Sequence, residues 1–356
     1  MATGTAHLDP AAQQDFLKTL TSYGDRARET LLQLLPTGEP QAYLYGPMRD
    51  YIETSGKGLR PALLLATCEA FGGDSENARV SAAVLELLHN AFLIHDDIED
   101  QSDFRRGREC MHKRLGVPLA INTGDGMQSL ALRLLRQNLG PLGPETGIRV
   151  VDEFDHLLQQ SIEGQALELG WIRDNRLNVD ASDYLTMCLK KTCWYSFIHP
   201  MRIGALIARP HDVASGALNL DDFNAFGFFL GAAFQIQDDV LNLVGSQDKY
   251  GKEIGGDIYE GKRTLMLGRL SLQADEPEKA RLSEMLSNPR DNRSTQDVSW
   301  VLDRMDHYGC IRYAQDAAND LLASARQEFA QVFAATEEVP RAFLGHFMDY
   351  LVTRQV

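Results

Sequence analysis

Apolar residues recur three and four positions apart along most of the chain. The pattern is clearest over 82–94 (AAVLELLHNAFLI), 127–139, 154–169, 223–244 and 312–333. That period predicts amphipathic or fully buried helices, and no run alternates with the period of two that a strand requires. Gly, Pro, Asn and Asp interrupt it at 36–41, 71–78, 114–126, 140–147 and 287–297, which predicts breaks there. The expected outcome is an all-α chain of roughly ten or more helices with mostly short connections, a layout suited to one large bundle. No compositional linker divides the chain, so residues 1–356 are expected to form a single domain, with 1–20 as a loosely ordered lead-in.

Composition narrows the possible functions. With 35 Lys and Arg against 50 Asp and Glu, the net charge is −15, which argues against a nucleic-acid partner. The five cysteines include no C-x-x-C pair, so a disulfide framework or structural zinc is not expected. Neither a signal-peptide pattern nor an apolar run of about 18 residues is present, and a cytoplasmic address without a transmembrane segment is the expectation.

One internal echo carries the chemistry. FLIHDDIED (92–100) is repeated as FQIQDDVLN (234–242), each with two Asp and a further polar side chain three residues on. On a helix Asp96 and Asp100 share a face and Asp97 reaches the same region from the side. Asp238, Asp239 and Asn242 repeat the spacing. Both clusters extend apolar helices instead of lying among Lys and Glu, which disfavours a simple solvated face. Hard carboxylate oxygens without His or Cys suit Mg²⁺, usually completed by water and phosphate oxygens. Cations for such an anion stand at intervals: Lys57 and Arg60 in SGKGLRP, Arg105 and Arg106 in FRRG, Lys191 with Thr192 in LKKT, and Lys252 and Lys262 in a Gly-rich stretch. No G-x-x-x-x-G-K-[ST] loop occurs, so nucleotide hydrolysis is not favoured.

Taken together, DDIED followed by RRG, FQIQDDVLN, GKGLRP, EGQ, KT and GKEIGGD…EGKRT resemble the trans-isoprenyl diphosphate synthases over about residues 40 to 270. That resemblance implies an all-α fold around a deep central cavity, usually as a homodimer. It also implies condensation of isopentenyl diphosphate with an allylic diphosphate (dimethylallyl, geranyl or farnesyl). Asp96, Asp100 and Asp238 would be the principal ligands of Mg²⁺, three ions in all, with Asp97 and Asp239 supporting. Arg105, Lys191, Thr192, Gln235, Lys252 and Lys262 would hold the allylic diphosphate. Lys57, Arg60, His89 and Arg106 would hold isopentenyl diphosphate. Asn242 departs from the Asp many members carry. Ala91 and Phe92, about 6 Å below Asp96 by helical rise, would meet the growing tail. A small residue beside a large one points to a C20 product, geranylgeranyl diphosphate, with C15 next, and Trp194, Tyr195 and Phe197 either narrow the cavity or pack between helices. A terpene cyclase on the same fold would have no use for the isopentenyl pocket. A non-catalytic subunit would not be expected to keep all five aspartates.

Overall fold

A computed structural model describes residues 10–54, 56–244 and 255–353. It bears out the helical period. Helices α1 (Pro10–Leu34), α2 (Gly46–Glu53), α3 (Leu59–Ala70) and α4 (Ser75–Glu99) lead into a hairpin of two short strands, β1 (Phe104–Arg105) and β2 (Arg108–Glu109). Helices α5 (Met111–Leu115), α6 (Val117–Gln137), α7 (Leu139–Leu142) and α8 (Pro144–Arg173) follow. Next, α9 (Ala181–Cys188) continues through a π-helical stretch (Leu189–Ile198) into α10 (His199–Ala208), and α11 (Pro210–Ser215) precedes α12 (Asp222–Val244). Shorter helices occupy 256–287, and three longer ones, Thr295–His307, Cys310–Val332 and Glu338–Thr353, complete the bundle.

The first acidic segment owes its position to α4. Asp74 caps the helix by accepting from the Glu76 amide at 3.0 Å, and residues 81–91 are buried on every side. A helix apolar all round belongs in the centre of a bundle, and α4 packs against α1, α3 and α6. The buried apolar side chains form a large cluster around it. A second cluster lies among α9, α12 and the helices between 256 and 318, and Leu321 packs against both.

Three expectations are corrected. Of the expected lead-in 1–20, residues 1–9 lie outside the described residues and 10–20 are the first turns of α1, with Phe16 and Leu20 buried against the core. Residues 117–126 are not a break, because α6 begins straight after Gly116 and runs through Asn122, Gly124 and Gly126. At Gly124 a β-carbon would collide with the His95 ring on α4, so this glycine permits a close helix crossing instead of ending a helix. The hairpin is the third. The strands are only two residues each, too short to show a period, and Arg106 (φ 54°) and Gly107 (φ 74°) make the double left-handed turn that hairpins prefer.

Candidate active site

The two acidic segments form the last turns of α4 and α12, and residues from the π-helical stretch stand between them. The Lys191 ammonium pairs with buried Glu168 on α8 and lies 3.6 Å from Asp96. Thr192 donates to Gln235 at 2.8 Å, and Gln235 donates to Asp239 at 2.8 Å. Consecutive side chains thus reach one acidic segment each. An i→i+5 stretch inside a helix alters side-chain direction and is frequent at functional sites. The EGQ motif explains how α8 comes so close. A β-carbon at Gly164 would collide with the Lys191 backbone, Glu163 pairs with Lys190 at 2.5 Å, and Gln165 donates to Glu99 at 2.6 Å.

Each aspartate of the first segment has a cation. Arg105, aimed inward by the hairpin, donates to Asp97 at 2.6 Å and Asp96 at 3.2 Å. Lys262 donates to Asp100 at 2.8 Å, lies 2.6 Å from Glu260 and stands 3.9 Å from Asp257. Asp97 is 1% exposed and Asp239 7%, whereas the Asp96 side chain is 22% exposed. The geometry thus separates Asp97 and Asp239, held by protein donors, from the more open Asp96. Among the described residues, no three acidic or imidazole side chains converge to metal-binding distance.

The electrostatics show a site with surplus negative charge. Burial pushes Asp100 up to about 7, although Lys262 opposes the shift, and burial likewise pushes Asp239 up to about 7. Burial disfavours the charged forms of Lys191 and Lys262 as well. Glu168 and Asp96 outweigh it for Lys191, and Asp100, Glu260 and Asp257 outweigh it for Lys262, so both ammonium groups are held charged. Carboxylates outnumber the cations among them, and a bound proton or cation relieves the excess.

A second group lies toward the start of α3. Arg60 donates to Ser196 at 3.1 Å and to the Tyr195 hydroxyl at 2.7 Å, stacks over the Tyr195 ring at 4.5 Å, and reaches His89 Nε2 at 3.1 Å. A guanidinium can only donate, so Nε2 is the acceptor and the His89 proton sits on Nδ1. Burial lowers the His89 pKa well below its ordinary value, with Arg60 and Arg106 adding to the effect, so the ring is neutral. Phe92 meets the Tyr195 ring edge-on at 5.5 Å, while Ala91 has no exposed surface. Arg106 donates to the Thr54 carbonyl at 3.3 Å, and exposed Lys57 donates to Tyr350 of the last helix at 2.6 Å. Lys252 lies outside the described residues.

Five further contributors escaped sequence reasoning. Tyr184 donates to buried Asp239 at 2.7 Å; Glu168 holds Lys191; Tyr350 holds Lys57; Glu260 holds Lys262, and Arg290 holds Glu260. Only Glu260 carried a local signal, since it opens the EGKR run. Glu168 lies one turn beyond EGQ but outside the motif itself, and Tyr184, Arg290 and Tyr350 fall outside every motif.

The model of the polyprenyl synthetase family matches residues 41–305, and the chain belongs to that family. It is an isoprenyl diphosphate synthase. A geranylgeranyl diphosphate synthase of Sulfolobus acidocaldarius is 33% identical over 312 residues, covering 88% of this chain and 91% of that protein. The crystal structure of a geranylgeranyl pyrophosphate synthetase from Pyrococcus horikoshii superposes with a TM-score of 0.83 at 29% identity, covering 96% and 99% of the two chains. A polyprenyl synthase from Caulobacter crescentus, complexed with calcium and isoprenyl diphosphate, superposes at 0.81 with 25% identity, covering 96% and 98%. Among the described residues no helix is long and apolar enough to cross a membrane.

Proposed function

We propose that this chain condenses isopentenyl diphosphate with an allylic diphosphate, assisted by Mg²⁺, to give all-trans geranylgeranyl diphosphate. The observation that carries the reading is the junction at Lys191 and Thr192, which ties a cation and a hydroxyl to the two acidic helix ends. The donor set fits a hard divalent ion: every candidate ligand is a carboxylate oxygen, and buried Asp100 and Asp239 gain from a neutralising charge. Asp96, Asp100 and Asp238 would hold the metal, three ions in this reading, with Asp97 and Asp239 braced behind them. When bound, Mg²⁺ draws charge from the diphosphate as it leaves.

The chain's own residues do the rest. Lys191, Lys262 and Arg105 receive the departing diphosphate, so its C–O bond breaks toward a cationic rim and leaves an allylic cation. Arg60, Arg106, Lys57 and neutral His89 bind the isopentenyl diphosphate. Tyr195, in contact with both Arg60 and Phe92, sets the distance between that anion and the hydrocarbon path. The isopentenyl double bond attacks the allylic carbon, and the released diphosphate takes the proton whose loss restores an alkene. Buried apolar walls keep water from quenching the cation.

The similarity to the Sulfolobus and Pyrococcus geranylgeranyl enzymes supports the C20 product. The edge-on contact of Phe92 with Tyr195 favours C15 as the second reading, because the two rings narrow the path just below the acidic turn. A homodimer is part of the proposal: Val117, Ile121 and Leu132 on α6 and Ile148 and Ile162 on α8 are exposed apolar residues suited to a second copy. The five cysteines are buried free thiols, which suits the proposed cytoplasmic setting. Incubation with Mg²⁺, labelled isopentenyl diphosphate and each of the three allylic primers should yield labelled geranylgeranyl diphosphate. Cyclic hydrocarbon with the isopentenyl label unused would overturn the reading in favour of a cyclase.

A further inference from the structure

Lys262 sits on one carboxylate oxygen of Asp100, a residue assigned above to the metal. Its ammonium is 2.8 Å from Asp100 Oδ2 and 2.6 Å from Glu260 Oε2. The other oxygen of Glu260 accepts from Arg290 at 3.1 Å, and the same guanidinium nitrogen is 3.4 Å from the Asp100 main-chain carbonyl. Arg290 opens the short 3₁₀ turn Arg290–Asn292, within the stretch that the sequence pattern marked only as a break. That turn is fixed. Three residues on, the buried Arg293 guanidinium donates to the carbonyls of Tyr259 at 2.5 Å and Leu286 at 2.8 Å, tying the turn to the segment that bears Glu260 and Lys262.

We propose that Arg290 is a positioning residue for the condensation, and that the Glu260–Arg290 pair is the seat Lys262 falls back on when a divalent cation takes Asp100. The inference rests on the metal-assisted reading above. An ammonium and a divalent cation repel strongly on one carboxylate oxygen, so Lys262 must exchange partners when metal binds. Glu260 is the partner already in contact. Arg290 occupies one oxygen of Glu260, leaving the other for Lys262, and prevents the carboxylate from closing with both oxygens on the ammonium. Lys262 thus stays available to the allylic diphosphate. Arg290 also adds a positive charge to the anion side of the site.

The test is R290Q, with R290K as the conservative control. R290Q should raise KM for the allylic diphosphate about tenfold, the worth of one charge-assisted contact. KM for isopentenyl diphosphate should stay within about twofold, because Arg60 and His89 belong to a separate group. Calorimetric titration of the substrate-free protein with Mn²⁺ should show unchanged or tighter binding, since a positive charge has been removed. R290K should recover most of the allylic KM, and thermal unfolding should show that both variants are folded. An allylic KM within twofold of the parent overturns the inference, as does a parallel rise of both KM values or a loss of Mn²⁺ affinity. Full wild-type turnover in excess chelator would instead overturn the metal reading, and the inference with it.

Discussion

The two acidic segments share a spacing and differ in what holds them. At the end of α4 the partners are cations: Arg105 on Asp96 and Asp97, Lys262 on Asp100, Lys191 near Asp96. At the end of α12 the partners of Asp239 are neutral donors, the Tyr184 hydroxyl and the Gln235 amide. The third member differs most. Asp100 faces a lysine, whereas Asn242 turns its side-chain oxygen to the Asp257 amide at 3.0 Å and its main-chain carbonyl to the Gly255 amide at 2.8 Å. Residue 242 therefore organises backbone, and a repeated motif does not imply repeated roles. In the proposed function the cation pairs of Asp96 and Asp100 are exchanged for metal and diphosphate, while buried Asp97 and Asp239 stay fixed by their donors.

The largest effect should separate the segments directly. D100N removes a charge in the exchangeable group and should lower kcat/KM by about 10³-fold. D239N keeps most of the hydrogen-bonding shape, and its effect should be that of a supporting residue, about 10- to 100-fold. Steady-state assays with labelled isopentenyl diphosphate measure both. Equal losses would remove the distinction between exchangeable and fixed carboxylates.

A carboxylate outside the site sharpens the contrast. Glu153 accepts from His199 at 2.7 Å and from Arg202 at 2.8 Å through each oxygen. Burial alone would raise its pKa, but these donors prevail and hold it down to about 2, opposite to the direction at Asp100. A depressed folded-state pKa contributes stability above the unfolded value, near 4.5, and loses it as pH falls through about 2. The shift corresponds to about 3 kcal/mol. E153Q should therefore unfold at lower denaturant than the parent at pH 5 to 7, with the gap closing below pH 4. A gap independent of pH would show that charge is not what Glu153 contributes.

The helical period and the motif residues were legible in the sequence because each depends on neighbours within about one turn. Arg105 could be assigned to the diphosphate rim from RRG, but not its bond to Asp97, which depends on a hairpin too short to leave a pattern. Thr192 and Gln235 were both expected at the site, and their mutual hydrogen bond needed the π-helical stretch to set the angle. Tyr184 reaches Asp239, Glu168 reaches Lys191 and Arg290 reaches Glu260 only because segments far apart in sequence pack together. In the sequence Asn242 stands out only as a departure from the Asp that many members carry. Its backbone role depends on the chain returning at Gly255–Asp257, which nothing local announces.

The smallest effect concerns Asn242 itself. If the residue fixes backbone, N242A should cost about 1 to 2 kcal/mol, the usual loss when a side-chain acceptor is removed from a helix-terminal amide, measured by denaturant unfolding. N242D restores an acceptor and keeps the shape, but places a charge at a side chain only 3% exposed, next to Asp238 and Asp239. Its Mg²⁺ half-saturation should stay within about twofold of the parent, and its stability should fall modestly, by about 1 kcal/mol. A tenfold drop in the Mg²⁺ concentration needed would make residue 242 a ligand position. The two segments would then be equivalent after all, with Asn242 a weakened copy of Asp100.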